Sequence, residues 1–399
     1  FLRRPSAFMP TIDDLATPCL LVDEGRLQRN IAQMQAKAAA NDVVLRPHTK
    51  THKSVAIAQR QQAAGASGLT VAKVGEAEVF AAAGFGDLCI AYPVVGTSKH
   101  TRLAALRDEG AQVSFCVDTI AGADAAAAFY AARNQSADVL MEVDVGHGRC
   151  GVPWDGDAAV TLARHITEQP GLRLTGILTH AGQGYHGPSD GETPAEALQR
   201  AAHAERDRML AVATRLRDAG IPGAMPGDFT ISIGSTPTMA AFENRTADGF
   251  RITEIRPGNY VFHDSMQVGL GAASLDQCAL TVLTTVVSKR RNDAGAERLY
   301  LDAGKKVVTA DTGYGATGYG TLLYNAVAMR PHPHATITGL SEEHGWVRVP
   351  GSATLGVGDR VRFVPNHACV TVNTQDELHL VDANEGIDTL PVDARGRVR

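Results

Sequence analysis

The chain has 399 residues, 44% of them hydrophobic and 20% charged, the proportions of a globular protein with room for more than one domain. Lys and Arg number 38 against 43 Asp and Glu, a net charge of −5 that argues against a nucleic-acid partner, which calls for a basic excess on one face. No apolar run approaches the roughly 20 residues that span a bilayer, so no membrane partner is expected.

The opening Phe1-Leu2-Arg3-Arg4-Pro5 lacks the apolar core of a signal peptide and reads as a trimmed end of a polar leader, 1–17. Six cysteines, at 19, 89, 116, 150, 278 and 369, show no CxxC spacing and point to reduced thiols in a cytoplasmic protein. Pro18-Cys19-Leu20-Leu21-Val22-Asp23 reads as a first strand, and Glu24 to Ala40 follows with Leu27, Ile31 and Met34 at helical spacing. Strand-like runs recur at 43–45, 68–71, 88–91, 113–117, 139–143, 174–178 and 229–233. Between them lie helical stretches of about 10–25 residues, the length of a parallel crossover. With the first strand this makes eight units and predicts an α/β fold, a (β/α)8 barrel over 18–264. A doubly wound open sheet shows a similar alternation. From Cys278 the texture changes: a β-branched run at 279–287 and short strands at 299–301, 346–349, 361–364 and 378–381 predict a smaller β-rich domain over 265–399.

The polar stretches that end these strands carry the candidate chemistry. Val43–Leu45 is a short apolar strand, Pro47 ends it, and His48, Thr49, Lys50, Thr51, His52 and Lys53 follow at what would be its carboxyl end. A lysine held there among cations and apolar strands has its ammonium form disfavoured and becomes a usable amine. A basic surface turn is the plainer alternative. Glu142-Val143-Asp144-Val145-Gly146-His147-Gly148-Arg149-Cys150-Gly151 ends a later strand in a glycine-spaced loop, where the permanently charged Arg149 can meet an anionic oxygen. In Thr179-His180-Ala181-Gly182-Gln183-Gly184-Tyr185-His186, His180 and Tyr185 are candidates to shape a cofactor pocket and His186 is a candidate proton carrier. Gly234-Ser235-Thr236-Pro237-Thr238 lies between the expected eighth strand and a helix, as an anion cradle or a plain N-cap. Pro365-Asn366-His367-Ala368-Cys369 is read as extended, so imidazole and thiolate two residues apart share a face and can hold one cation.

Arg46-Pro47-His48-Thr49-Lys50-Thr51-His52-Lys53-Ser54 resembles the cofactor-lysine motif of the D-serine dehydratase and D-threonine aldolase family, pyridoxal phosphate (PLP) enzymes with an alanine-racemase-like barrel. The resemblance implies that Lys50, not Lys53, binds PLP covalently, with His48 beside it. It implies that Arg149 contacts the ring oxygen, and that Gly234, Ser235 and Thr236, with backbone amides of Arg256-Pro257-Gly258-Asn259-Tyr260, hold the phosphate. In alanine racemases the arginine matching Arg256 faces the pyridine nitrogen. The His367-x-Cys369 pair is similar to the D-serine dehydratase metal site; thiolate with imidazole favours zinc, with manganese or magnesium as alternatives. The resemblance further implies that the leader joins the β-rich domain, that the protein is a homodimer, and that the substrate is a small D-3-hydroxy amino acid. Cys369 and the Gly-Ser-Thr-Pro-Thr run point to dehydration, the Arg149 loop to retro-aldol cleavage. A racemase and a non-catalytic PLP carrier are the remaining alternatives.

Overall fold

The structure is a computed structural model that describes residues 11–291, 297–350 and 354–399. The opening Phe1–Pro5 and the rest of the first ten leader residues lie outside the described residues. The chain divides into two compact units. One takes the residues up to Asn30 with Val261–Gly269 and Ala273–Arg395; the other takes Ile31–Tyr260 with Leu270–Ala272 and Gly396–Arg399.

The second of these is built on parallel strands Val44–Leu45, Leu69–Val71, Asp87–Pro93, Gln112–Val117, Ala137–Asp144, Leu172–Leu178, Thr230–Ile233 and Glu254–Ile255. Each pairs with its successor from Leu69–Val71 onward, and the last returns to Val44–Leu45 in parallel. The remaining gap is crossed by Ser67 N–H donating to the Leu45 carbonyl and Thr70 N–H to the Pro47 carbonyl, both at 2.9 Å, and by a parallel bridge between His48 and Thr70. The sheet is therefore a closed barrel. Its strands are apolar runs because they are buried on both faces: Leu69–Val71 is buried throughout, and Cys89, Cys116, Leu140 and Leu178 pack as one cluster. The helices are patterned to match. Pro194–Asp218 opens with a capping box between Thr193 and Glu196 and buries Leu198, Ala201, Ala202, Met209, Leu210, Ala213 and Leu216 along one stripe.

The eight-strand count was reached from the sequence with one wrong member. Cys19–Asp23 is no barrel strand; it lies in the sheet of the other unit, antiparallel to Leu280–Arg291 and parallel to Glu377–Val381. The true eighth strand, Glu254–Ile255, has two residues and leaves no pattern in the sequence. Thr230–Ile233 is accordingly the seventh.

Among the described residues the other unit holds a ten-stranded sheet whose spine is the twelve-residue strand Leu280–Arg291. Cys19–Asp23, Glu297–Leu301 and Arg360–Val364 all pair with it in antiparallel fashion. Described leader residues are bonded here as well. The Thr17 hydroxyl donates to Asp302 at 2.6 Å, and Arg360 donates to the carbonyls of Asp13 and Leu15, each at 2.8 Å. Among the described residues no helix is long and apolar enough to cross a membrane, and no cysteine is joined in a disulfide.

Gly176 sits opposite Thr230 in the barrel, where an added Cβ would lie 2.3 Å from the Thr230 carbonyl oxygen. Backbone cannot yield there cheaply, so Gly176→Ala is expected to lower the unfolding free energy by about 1–3 kcal/mol. Urea denaturation followed by far-UV circular dichroism measures this, and an unchanged midpoint would contradict the register of these two strands.

Candidate active site

Lys50 stands in a single 3-10 turn, Thr49–Thr51, directly after the first barrel strand. The turn is held from both sides. His48 caps it by accepting from the Lys50 N–H at 3.4 Å, and the Thr49 hydroxyl donates to the Thr70 carbonyl at 3.2 Å. Lys53 leaves the turn with a left-handed φ of 51°. Its ammonium lies 3.2 Å from the carboxylate of Glu76, which is 1% exposed and also accepts the Ala72 N–H at 2.6 Å. Lys53 is thus engaged in a buried ion pair, whereas Lys50 sits among imidazoles. Burial, then the positive charges of Lys50 and Arg256 and the neighbouring His180 and His52, keep the His48 ring well below its ordinary range. His180 is held down in the same way by burial, Lys50, Arg149 and Arg256. Both rings are neutral at physiological pH.

Three backbone segments meet beside this turn. Gly234 has a φ of 128°, and a Cβ there would lie 2.9 Å from the Arg256 nitrogen. A Cβ on Gly258 would lie 2.8 Å from the His48 carbonyl oxygen. The His48 N–H donates to the Pro257 carbonyl at 3.0 Å. Ser235 follows Gly234, and its hydroxyl lies 3.0 Å from Thr238 Oγ1. The hydroxyl of Thr236, a residue only 4% exposed, has no hydrogen-bond partner among the described residues. An unmet buried hydroxyl on a glycine-led turn fits a phosphate group, which would supply the missing acceptor. The helix expected after this turn is only Thr236–Met239. One helical turn sums little dipole, so hydroxyls and local amides are what this segment offers an anion.

Arg256 is buried, donating from Nε to Ser232 Oγ at 2.6 Å and from its terminal nitrogen to the Thr179 carbonyl. Asn259 is buried beside it in sequence, and Tyr260 gives its hydroxyl to the core, accepting from Gln61 at 2.9 Å. Arg149 is half exposed and lies 3.5 Å from the Glu142 carboxylate, which also accepts the Cys150 thiol proton at 3.0 Å. Its loop is shaped by Asp144, whose carboxylate accepts the N–H groups of Gly146, His147 and Gly148. His147 lies with its ring centroid 6.0 Å from that of His180 and 6.1 Å from that of the exposed His186, while Tyr185 stands 6.3 Å from His180.

His367 and Cys369 belong to the other unit. The extended reading of this segment was wrong: His367 is extended, but it is the N-cap of the helix Ala368–Val372, so Cys369 lies in a helical first turn. The two side chains converge nonetheless. Burial works against the His367 imidazolium, yet its hydrogen bond to Cys369 and the Asp311 carboxylate hold it at about 10. Asp311 lies 2.7 Å from His367 Nδ1, and the buried Asp264 accepts the Ala368 N–H at 2.9 Å. Among the described residues no group of three or more His, Cys, Asp or Glu side chains is arranged to hold a metal ion. Imidazole and thiol remain a suitable pair of donors for a soft divalent cation with open positions, and a carboxylate on Nδ1 orients a ligating histidine.

Residues 22–266 match the alanine racemase N-terminal domain, and residues 279–381 match a serine dehydratase domain. The D-threo-3-hydroxyaspartate dehydratase of Delftia sp. (strain HT23) is 38% identical over 90% of this chain and 93% of its own length. The chain belongs to the D-serine dehydratase and D-threonine aldolase family of fold-type III PLP enzymes. A D-threonine aldolase of Arthrobacter sp. is 36% identical over 95% of this chain and 93% of its own. The solved Delftia structure superposes with a TM-score of 0.85 at 35% identity, covering 96% of this chain and 98% of that one. Solved variants of that enzyme replace a histidine and a cysteine two positions apart, the cysteine variant being described as metal-free.

Glu76, Glu205, His147, Asp264 and Asp311 were not singled out in the sequence. His147 had a signal, an imidazole within the Arg149 motif; the carboxylates had none, because their partners lie far along the chain. Glu76→Ala would leave the Lys53 ammonium buried without its carboxylate, so a loss of about 3–5 kcal/mol is expected. A denaturant midpoint equal to wild type would show that Lys53 does not depend on this pair.

Proposed function

We propose that this chain is a PLP- and divalent-metal-dependent lyase that dehydrates D-3-hydroxy amino acids, of the D-serine or D-threo-3-hydroxyaspartate kind, to a keto acid and ammonia. One observation carries the choice of lysine. Lys53 is committed to Glu76, while Lys50 sits in a rigid turn beside two imidazoles kept neutral by burial and neighbouring cations. PLP bound at Lys50 supplies an electron sink for the bond broken at Cα.

The protein's own groups then have distinct tasks. Lys50 Nζ would hold the cofactor and, when free, would be the base for the proton at Cα. The Arg149 guanidinium would meet the ring oxygen of the cofactor. Arg256 is pinned by Ser232 and the Thr179 carbonyl, and would face the pyridine nitrogen of the cofactor if it follows the alanine racemase pattern. Thr236, Ser235 and the amides around Gly234, Gly258 and Asn259 hold the phosphate, with Tyr260 as a buried post behind them. His180 and Tyr185 line the pocket with His48, and His186 is the second proton carrier. His367 and Cys369 would hold the cation, zinc by donor softness, which when bound would supply Lewis acidity toward a hydroxyl group. We further place the protein in the cytoplasm as a homodimer.

The Delftia dehydratase and the His-x-Cys pair support dehydration. Retro-aldol cleavage is the second reading, supported by the 36% identity to an aldolase along nearly the whole chain. Assay of D-threo-3-hydroxyaspartate and D-serine is expected to give keto acid and ammonia; glycine and an aldehyde from D-threonine, without keto acid, would overturn the choice. Lys50→Ala is expected to lose the visible absorbance of bound cofactor while keeping its circular dichroism, and a surviving band would move the linkage elsewhere. His367→Ala or exhaustive chelation should abolish turnover but spare that band. Full turnover after chelation would remove the metal from the reaction.

A further inference from the structure

Glu205 sits where the pattern of its helix calls for an apolar residue. It lies on the buried stripe of Pro194–Asp218 between Ala202 and Met209, and none of its surface is exposed. A carboxyl in that position is costly unless its oxygens are bonded. Both are: Oε1 accepts the Gly234 N–H and Oε2 accepts the Thr238 hydroxyl proton, each at 2.8 Å. These donors are the two ends of one five-residue turn. The Thr236 hydroxyl, unpartnered among the described residues, lies at its centre. Clamped from behind at both ends, the turn is held in one shape.

The clamp also tolerates a change of charge. Thr238 Oγ1 lies 3.1 Å from the Ser235 carbonyl oxygen and 3.0 Å from Ser235 Oγ. With Glu205 ionised, Thr238 donates to it; with Glu205 protonated, the acid donates to Thr238 Oγ1, and Thr238 donates to the Ser235 carbonyl. Gly234 N–H keeps its acceptor in both states. Burial pushes the Glu205 carboxyl up to about 7, against the opposing pull of Gly234, Thr238, Arg256 and the Ala181 backbone. Arg256 is the charged group acting on it; the turn brings neutral hydroxyls, and Arg206 beside it on the helix is bonded to Asp207 and the Glu243 carbonyl. A phosphate dianion bound at this turn would disfavour the carboxylate.

We propose that Glu205 is a positioning residue that holds the Gly234–Thr238 turn in its anion-binding shape and takes up a proton as the cofactor's phosphate enters. This rests on reading the turn as the phosphate cradle. The test is calorimetry of the full chain, freed of cofactor, with pyridoxine 5′-phosphate, which has no aldehyde and cannot link to Lys50. Two buffers of different ionisation enthalpy at pH 7.5 give the protons taken up on binding. Wild type is expected to take up a larger fraction of a proton than Glu205→Gln, with the Gln variant keeping its affinity, because its amide oxygen can accept the Gly234 N–H while its NH2 donates to Thr238 Oγ1, as the protonated acid would. Glu205→Ala should weaken binding roughly tenfold or more. Equal proton uptake in wild type and Glu205→Gln overturns the inference, whether or not the Ala variant folds. Wild type binding pyridoxine 5′-phosphate no more tightly than pyridoxine overturns the cradle itself, and this inference with it.

Discussion

The joint between the first and second barrel strands is the constraint on which the proposed PLP site depends. Two backbone hydrogen bonds and one bridge close the ring there, across strands of two and three residues. So short a seam needs help from side chains. The Thr70 hydroxyl donates to the Arg46 carbonyl at 2.9 Å, and Arg46 spans Glu254 at 2.6 Å and Asp87 at 2.8 Å, tying three strands together. Gly68 is required because its φ is 71° and a Cβ would lie 2.8 Å from the Asp87 carbonyl oxygen. Parallel strands present their carboxyl ends on one side, so a closed ring gathers the loops that carry Lys50, Arg149, His180, Thr236 and Gly258. An open edge at this seam would leave the Lys50 turn without the bond from the Thr49 hydroxyl to the Thr70 carbonyl.

Charge is the second organising principle of the barrel unit. Two of its largely buried cations are matched with buried carboxylates: Lys53 with Glu76 and Arg46 with Glu254. Each pairing limits the desolvation cost that an isolated buried charge would carry. The histidines among them remain neutral and add no further charge. An anionic cofactor entering such a site meets fixed positive charge without having to reorganise it, which is the arrangement that stabilises developing negative charge best. The β-rich unit follows a related logic around His367, where Cys369 and Asp311 are aligned on one imidazole and Asp264 anchors the backbone between them.

Local chemistry made much of this readable in advance. Apolar runs alternating with helical periodicity are what parallel strands and their crossovers require, so a parallel α/β fold followed from pattern, with a doubly wound sheet as the alternative to the barrel, and the basic motif after Pro47 marked its own place at a strand end. The limits were equally physical. Cys19–Asp23 is as apolar as any barrel strand, and nothing in five residues says which sheet will receive them. Glu254–Ile255 is shorter than any periodicity, and His367 with Cys369 looked extended because a five-residue helix hardly registers beside a β-branched run.

What the sequence determined by itself was therefore composition at short range: strand and helix patterns, the lysine motif, and the donor types of the His-x-Cys pair. Tertiary structure alone decided which strand closes the ring, that Lys53 is engaged by Glu76, and that Glu205 stands behind the Gly234 turn. Those outcomes join residues 23 to 210 positions apart (53 with 76, and 44 with 254), or a helix stripe with a loop beyond it. Hydrogen bonds and ion pairs act over a few ångströms, and only folding brings such partners within that distance.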